Sequence, residues 1–311
     1  DEGFNIFLSG SSSKLLSKEI ATSLRGRTLS YLLLPFSFKE FLKIKNFPLN
    51  ISKLTSEEKS ILLSLFNEYL DLGGFPEIIL EEDKENKLKT LKEYLDLIVY
   101  KDLIERYNIK NTKIIQWLIK SLITAFSKEF SINKIYLTLK SKDIKVSKNT
   151  LYSYLSMLED SFFIFSVPKF EYSIRKREFS INKIYLCDVG FVKLVEISEE
   201  KGRKMENLVF LELQKRRKAL TEISYWKNQQ KEEVDFVIKS GRKIEQLIQV
   251  CQKIEDVDVK KREIRSLLKA SKELKCSNLL VITEDKEGEE KIKNKKVKYI
   301  PLWKWLLEDK S

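Results

Sequence analysis

The chain has 311 residues, of which 42% are hydrophobic and 33% are charged, and its 58 Lys and Arg against 46 Asp and Glu give a net charge of +12. This length predicts two or three domains. No stretch approaches the roughly 20 uninterrupted apolar residues that span a bilayer, so we expect a cytoplasmic protein with no membrane partner. Because there is no histidine, His-based triads and His metal ligands are excluded, and a metal would need carboxylate ligands, as Mg²⁺ does.

The positive charge is compatible with nucleic-acid binding. It is equally compatible with a Lys-, Ile- and Glu-rich composition set by an AT-rich genome or a hot habitat. Three cysteines (Cys187, Cys251 and Cys276) lie inside apolar runs without CxxC spacing. This pattern predicts buried, reduced thiols and argues against a disulfide framework or a zinc site.

The first two segments are predicted as α/β and then helical. Residues 1–35 show a strand, a Ser-rich turn, a helix and a second strand (TLSYLLL), which is typical of part of a parallel α/β sheet. The chain starts at Asp1 and enters a strand within three residues, so we expect it to be truncated upstream. Residues 36–111 are predicted to be helical, with Ser56 capping one helix and a long helix spanning about 85–107.

The last two segments are predicted as a winged helix and an α/β domain. Residues 112–177 show three helical patterns, the third capped by Ser147, then an alternating apolar run, and 172–182 is a basic wing or linker. Residues 178–311 alternate strands with helices. We predict strands at 183–195, 222–227, 232–239, 243–252, 277–283 and from 296, helices at 203–218 and 256–274, and a charged loop at 285–298.

The stretch FLSGSSSKLLSKEIATSLRGRTLSYLLLPFSFKEF (7–41) resembles the second half of the ATPase core in a family of archaeal and bacterial AAA-type ATPases related to the STAND and origin-recognition clades. The resemblance implies that Ser9 or Ser11 senses the nucleotide phosphate and that Arg25 or Arg27 reaches it. A hydroxyl at the end of a parallel strand and an arginine suit phosphate chemistry. The alternative is that the serines cap the helix and the arginines are solvated.

The motifs that would complete an ATPase are absent from these 311 residues. There is no GxxxxGK[ST], and no strand ends in the paired acids that hold magnesium. The resemblance implies that the P-loop lies upstream, that the intact parent binds ATP and Mg²⁺, and that the core mediates self-association. We therefore do not expect the chain as given to hydrolyse ATP.

The predicted third helix of the winged helix offers candidate DNA contacts. Lys148, Asn149 and Tyr152 lie at its N-terminal end and on one face, and Lys145 lies just before it. Lysines neutralise phosphates, and Asn reads an adenine edge. The alternative is that this module packs as a rigid spacer without nucleic acid.

The segments ENLVFLEL (206–213), EVDFVI (233–238) and LIQVC (247–251) resemble a PD-(D/E)xK nuclease-like domain that follows the ATPase in the same family. The resemblance implies that Glu206 and Asp235 take the places of metal ligands, that Gln249 replaces the second acid, and that Cys251 replaces the lysine. Strand alternation puts Asp235 on one face with Glu233 and Val237. We expect a degenerate site whose chemistry is lost. The alternative is that Asp235 pairs with Arg242 or Lys243 and preserves the fold without catalysis.

Together, these segments predict the fold class and the function of the chain. The chain is predicted to be a multi-domain α/β protein: a remnant of a P-loop AAA α/β core (1–35), a helical lid (36–111), a winged helix (112–177) and a restriction-endonuclease-like α/β domain (178–311). Its predicted function is that of the C-terminal portion of an ATP-binding ATPase that engages DNA through the winged helix. Two alternatives stay open: a Mg²⁺-dependent DNA nuclease using Glu206, Asp235 and Glu233, and a protein-interaction module without nucleic acid.

Overall fold

A computed structural model of the chain describes residues 7, 9–10, 29–50, 54–195 and 200–308. Ser11, Arg25 and Arg27 lie outside these residues, whereas Ser9 is described and exposed. The described part is a mixed α/β structure with a three-stranded sheet and a six-stranded sheet. Over these residues, no helix combines the length and the apolar composition needed to cross a membrane.

The expected second strand, TLSYLLL, is not formed over its described residues. Residues 29–34 have no regular secondary structure, and Leu29, Tyr31 and Leu33 are 83%, 84% and 96% exposed. A strand requires a hydrogen-bonded neighbour, and neither described sheet includes this segment. The prediction of a strand here is therefore wrong for the described residues.

The first two helices of the helical segment both begin with a capping box. Ser37 and Thr55 each accept a hydrogen bond from a backbone N–H three residues later, and a glutamate at that position bonds back to the cap. Thr55, rather than the expected Ser56, is therefore the cap of the second helix. The predicted long helix continues through a π-helical stretch, Ile98–Glu105. The helices are α1 (Phe38–Ile44), α2 (Ser56–Leu72), α3 (Pro76–Leu80) and α4 (Lys84–Leu97).

Four helices and a small antiparallel sheet follow. As expected, Ser147 caps the third of these helices, because its Oγ accepts a hydrogen bond from Thr150 N at 3.0 Å. The strand order is β1-β3-β2. The elements are α5 (Thr112–Thr124), β1 (Lys128–Phe130), α6 (Ile132–Lys140), α7 (Lys148–Asp160), β2 (Ile164–Val167), α8 (Ile174–Glu178) and β3 (Asn182–Leu186).

Strand β3 follows the division that we predicted between residues 177 and 178, yet it pairs with both β1 and β2. The predicted strand at 183–195 is also shorter than expected, because 189–194 form a 3₁₀ helix. The small sheet thus takes its central strand from the segment predicted to open the last domain. Strand β3 of the three-stranded sheet therefore leads directly into the part of the chain that forms the six-stranded sheet.

The six-stranded sheet has the order β4-β5-β6-β7-β9-β8. Strands β4, β5 and β6 are antiparallel neighbours, while β7 is parallel to both β6 and β9. A helix precedes the sheet and another connects β6 to β7. The elements are α9 (Lys201–Lys215), β4 (Thr221–Lys227), β5 (Glu233–Ser240), β6 (Lys243–Cys251), α10 (Val257–Glu273), β7 (Leu279–Thr283), β8 (Gly288–Ile292), β9 (Lys295–Pro301) and α11 (Leu302–Trp305).

The charged stretch 285–298 was expected to be a loop, but most of it forms the β8–β9 hairpin. Lys293 and Asn294 form its two-residue turn with φ angles of 47° and 62°. Positive φ at both positions matches the right-handed twist of the flanking strands. The charged side chains remain compatible with a strand because β8 is an edge strand with mostly exposed residues.

The register of β4 and β5 is irregular between Ser224 and Trp226. Asp235 keeps the expected face with Glu233, since both contact one lysine. Val237, however, packs in the same hydrophobic cluster as Val234, while Phe236 packs in the cluster on the other side of the sheet. The prediction that Val237 shares a face with Asp235 is wrong, because the irregularity interrupts the alternation of side chains.

The buried carboxylate of Asp188 joins the end of α2 to the 3₁₀ helix. It accepts hydrogen bonds from the backbone N–H groups of Gly74 and Gly190, each at 2.7 Å. Gly73 has a φ of +80°, and a Cβ atom there would lie 1.6 Å from Oδ1 of Asp188. Glycine is therefore required at residue 73 by both the backbone conformation and the close approach of the carboxylate.

Candidate functional site

A lysine of the small sheet lies at the centre of a buried carboxylate cluster. The side chain of Lys183 on β3 is 3% exposed. Its Nζ lies 3.0 Å from Oε1 of Glu206, 2.6 Å from Oε1 of Glu233 and 3.0 Å from Oδ1 of Asp235. One ammonium group therefore contacts three carboxylates at once.

Three elements bring these groups together. Glu206 lies on the buried face of α9, Glu233 and Asp235 lie two residues apart on β5, and Lys183 reaches the cluster from β3. Tyr185 is two residues beyond Lys183 and so points to the same side of β3. Its hydroxyl donates a hydrogen bond of 2.6 Å to Oε1 of Glu206.

The remaining oxygen of Asp235 is also satisfied. Its Oδ2 accepts a 2.9 Å hydrogen bond from the backbone N–H of Val250 on β6. Asp235 is therefore hydrogen-bonded on one side to its own sheet and on the other to the ammonium of Lys183. Buried charges require this kind of pairing, because removing them from water without partners costs several kcal/mol.

Burial and neighbouring charges shift the pKa values of the four charged groups in different directions. Burial, followed by the nearby Asp235, raises the pKa of Glu206 to about 7. Burial also raises the pKa of Asp235. Burial would raise the pKa of Glu233 too, but the ammonium groups of Lys183 and Lys227 together outweigh it, so that pKa lies below its usual range. For Lys183, burial opposes the charged form, but Glu206 and the other acids outweigh it and hold its pKa well above the usual value.

Gln249 and Cys251 lie beside this cluster on β6 but do not join it. The Nε2 of Gln249 donates a 2.7 Å hydrogen bond to Oε2 of Glu263 on α10. Its buried Oε1 has no hydrogen-bond partner among the described residues. Burial raises the pKa of the Cys251 thiol to about 12, so this group stays neutral at physiological pH.

The cluster does not fit a divalent metal ion. The ammonium of Lys183 lies within 3.0 Å of the carboxylate oxygens that would have to coordinate the ion. The two β6 positions provide a neutral amide and a protonated thiol, whereas Mg²⁺ favours anionic oxygen ligands. Over the part of the chain that the structure describes, no group of three or more His, Cys, Asp or Glu is arranged to hold a metal.

The structure corrects the predicted partner of Asp235. Lys183, not Arg242 or Lys243, forms the ion pair, and Lys243 pairs with Glu245 at 3.0 Å. Our sequence reasoning missed Lys183, Tyr185 and Glu263. The signal for Lys183 was present, because a lysine inside an apolar strand (NKIYL) requires a buried acid as partner.

The four candidate DNA contacts lie on the surface. Lys145 precedes α7, and Lys148, Asn149 and Tyr152 lie on its exposed face, with Tyr152 50% exposed. The Nζ of Lys148 lies 5.2 Å from the centre of the Tyr136 ring, which holds this side chain over α6 by a cation–π contact. The geometry brings these residues together on one face, and their role in binding DNA stays a prediction.

Three family models match successive parts of the chain. A model described as an AAA domain matches residues 1–42. Two models described as domains of unknown function, DUF8612 and DUF4143, match residues 63–201 and 201–305. The boundary between the last two models falls at the start of α9, immediately before the helix that carries Glu206.

Two curated proteins are similar to this chain. The uncharacterized protein MJ1544 of Methanocaldococcus jannaschii is 46% identical over 314 residues, which cover 99% of this chain and 70% of that protein. An uncharacterized protein of Haemophilus influenzae is 31% identical over 216 residues, which cover 68% of this chain and 51% of that protein. No solved structure matches the chain significantly.

The AAA-domain match and the DUF4143 match support a relation of the chain to AAA-type ATPases. The chain belongs to the same family as MJ1544 of Methanocaldococcus jannaschii, with which it shares 46% identity along nearly its whole length.

Proposed function

We propose that this chain is the C-terminal portion of an ATP-binding AAA-type ATPase, in which a winged helix contacts duplex DNA and a nuclease-like domain no longer cuts. The observation that carries the proposal is the position of Lys183, whose ammonium contacts Glu206, Glu233 and Asp235 simultaneously. A protein cation thus stands where a nuclease of this plan would bind its metal.

The order of elements supports the nuclease-like origin of this domain. Glu206 lies on the helix before the sheet, Asp235 on one strand, and Gln249 and Cys251 on the next strand, as the resemblance implies. Metal-dependent hydrolysis of a phosphodiester requires an ion that polarises the phosphate and activates water. With an ammonium among the carboxylates and a neutral thiol at the lysine position, the domain lacks both functions.

The segment from α5 to β3 supports a winged helix. Its order is helix, strand, helix, helix, strand, short helix and strand. The short helix, α8, lies in the basic connection between β2 and β3 and carries Arg175, Lys176 and Arg177. The exposed face of α7 presents Lys148, Asn149 and Tyr152. Lysine and asparagine side chains at the start of a recognition helix are suited to phosphates and base edges in the major groove.

The ATP-binding part of the proposal rests on the AAA-domain match and on family resemblance. In the intact parent, Ser9 or Ser11 and Arg25 or Arg27 would contact the phosphates of ATP, and Mg²⁺ would be bound with the nucleotide. Self-association through the core would let an arginine act on a neighbouring subunit.

Fluorescence anisotropy with a labelled DNA duplex over a salt series tests the DNA contact. We expect salt-dependent binding that weakens in Lys148→Ala/Asn149→Ala, because these groups contact phosphate and base. The matched control is Lys84→Ala/Asn86→Ala, which removes one exposed lysine and one exposed asparagine of α4. Duplex affinity that is equal in the α7 variant and in the wild type would contradict this assignment.

Cleavage is followed on the same samples by gel electrophoresis with Mg²⁺ or Mn²⁺. We expect the duplex to remain intact. Metal-dependent cutting that disappears in Asp235→Ala would instead establish the nuclease.

A further inference from the structure

An open cleft lies next to the Lys183 cluster. It has a volume of about 730 Å³ and is formed by the connection between β2 and β3 on one side and by β4 on the other. Tyr225, Lys227 and Glu129 belong to its wall, and Lys227 also pairs with Glu233 of the cluster at 3.0 Å. Ligand sites in proteins have volumes of roughly 300–1,000 Å³. The cleft therefore has room for a ligand of about that size.

The charge of the cleft favours an anion. Four cationic side chains and two carboxylates line it. Lys169 pairs with Glu171 at 3.1 Å, and Lys227 pairs with Glu129 at 2.8 Å, so these two pairs are neutral overall. The remaining cations are Arg175 and Lys176 of α8. An anionic group entering the cleft would meet both of them without displacing an ion pair described for the cleft wall.

Aromatic and aliphatic side chains accompany these cations. Tyr172, Ile174 and Phe179 lie in one eight-residue stretch of the connection, and their exposed fractions are 76%, 66% and 81%. Isolated exposed apolar residues are ordinary, but several close together around basic residues mark a binding surface. Aromatic faces left open to solvent can stack with unpaired nucleobases, at about 1–3 kcal/mol per base.

The wall opposite the basic connection is held rigidly. Tyr225 OH bonds to the carbonyl of Ile181 at 2.6 Å and lies 3.0 Å from Oε1 of Glu129. The backbone of the connection is also attached to β4, because Phe170 N donates to Tyr225 O at 2.6 Å and Tyr225 N donates to Pro168 O at 3.1 Å. The connection is therefore hydrogen-bonded to β4 at both of its ends.

We propose that this cleft binds single-stranded nucleic acid, with Arg175 and Lys176 contacting phosphates and Phe179 stacking on a base. An intact duplex keeps its bases stacked inside the helix, so it offers no free base face to Phe179. This site is distinct from the exposed face of α7, and its ligand binds without the duplex contact proposed above.

Anisotropy with a fluorescein-labelled oligothymidylate tests the proposal on the full chain. We expect Arg175→Ala/Lys176→Ala to reduce the slope of log affinity against log salt by about 1.4, because each phosphate contact on a single strand contributes about 0.7. Phe179→Ala should weaken binding roughly tenfold, and Phe179→Trp should restore it. Lys84→Ala/Lys92→Ala removes the same charge from α4 and should leave the affinity and the slope close to wild type.

Titrations with two other ligands test whether the cleft prefers a single strand. A labelled duplex is titrated with the same variants, and we expect it to respond to the α7 substitutions and not to Phe179→Ala. A labelled polyglutamate peptide is titrated as a competing acidic ligand. The proposal is overturned if oligothymidylate does not bind, if the α4 variant loses as much affinity as the α8 variant, or if the peptide binds more tightly than the oligonucleotide. Loss of duplex binding alone would contradict the α7 assignment and leave the cleft supported.

Discussion

Replacing Lys183 with methionine tests the structural role of the buried cluster. Methionine has a similar length but no charge, so Glu206, Glu233 and Asp235 lose the ammonium that lies 2.6–3.0 Å from each of them. Breaking a buried ion pair by removing one partner costs about 3–5 kcal/mol, because the other charge stays uncompensated. We therefore expect the free energy of unfolding to fall by about this amount at pH 8.

The loss should depend on pH in a defined direction. Without Lys183, the buried carboxylates relieve their repulsion by binding protons, which is easier at low pH. Each proton bound by the folded variant and not by the unfolded chain contributes about 1.4 kcal/mol per pH unit. The difference between Lys183→Met and the wild type should therefore shrink markedly between pH 8 and pH 5.

The assay is urea unfolding followed by circular dichroism at both pH values. The matched control is Lys239→Met on β5, because Lys239 pairs with the partly exposed Glu222 at 3.3 Å. Surface pairs of this type contribute about 0.2–1 kcal/mol. Our reasoning would be refuted if the two variants were equally destabilised at pH 8, or if the deficit of Lys183→Met were unchanged at pH 5.

Three further predictions concern Glu206, Gly73 and Cys251. The wild type should lose stability as the pH rises from about 4.5 through 7. The folded pKa of Glu206 is raised to about 7, so folding takes up a proton in this range, and this uptake becomes less favourable as the pH rises. Thermal unfolding should show a flatter pH dependence in Glu206→Gln, and an unchanged dependence would contradict this. Gly73→Ala should destabilise the protein by several kcal/mol, because the added Cβ would clash with Asp188. The control Gly241→Ala has a φ of +56° and no atom within 4 Å of the added Cβ, so it should cost only about 1–2 kcal/mol. Equal urea midpoints for the two variants would exclude the clash. The thiol of Cys251 should react with a disulfide reagent only after unfolding, because burial raises its pKa to about 12, and rapid labelling of the native protein would show that the thiol is accessible.

Much of the secondary structure follows from local patterns in the sequence. The Ser147 cap, the apolar strands β5 and β6 and the amphipathic helix α10 all result from residues close together in the chain. A strand from residue 296 was predicted and is β9, whereas β8 was missed because its charged residues resemble a loop. Its strand conformation depends on pairing with β9, which is a tertiary property.

The candidate site was only partly predictable for the same reason. Glu206 and Asp235 could be placed by their spacing in the nuclease-like motif. The partner of Asp235 could not, because Lys183 is 52 residues away along the chain and reaches Asp235 from another sheet. The face of Val237 was also unpredictable, since it depends on the irregular pairing of β4 with β5.

The most direct test of the central claim is calorimetric titration of the wild-type chain with Mn²⁺, in parallel with Lys183→Ala. Our account predicts no binding to the wild type, because the Lys183 ammonium lies among the carboxylates that would coordinate the ion. It predicts measurable binding to Lys183→Ala, in which Glu206, Glu233 and Asp235 no longer contact a cation at their centre. Binding of Mn²⁺ to the wild type that is lost in Asp235→Ala would contradict the account and would restore the nuclease as the better explanation of this site.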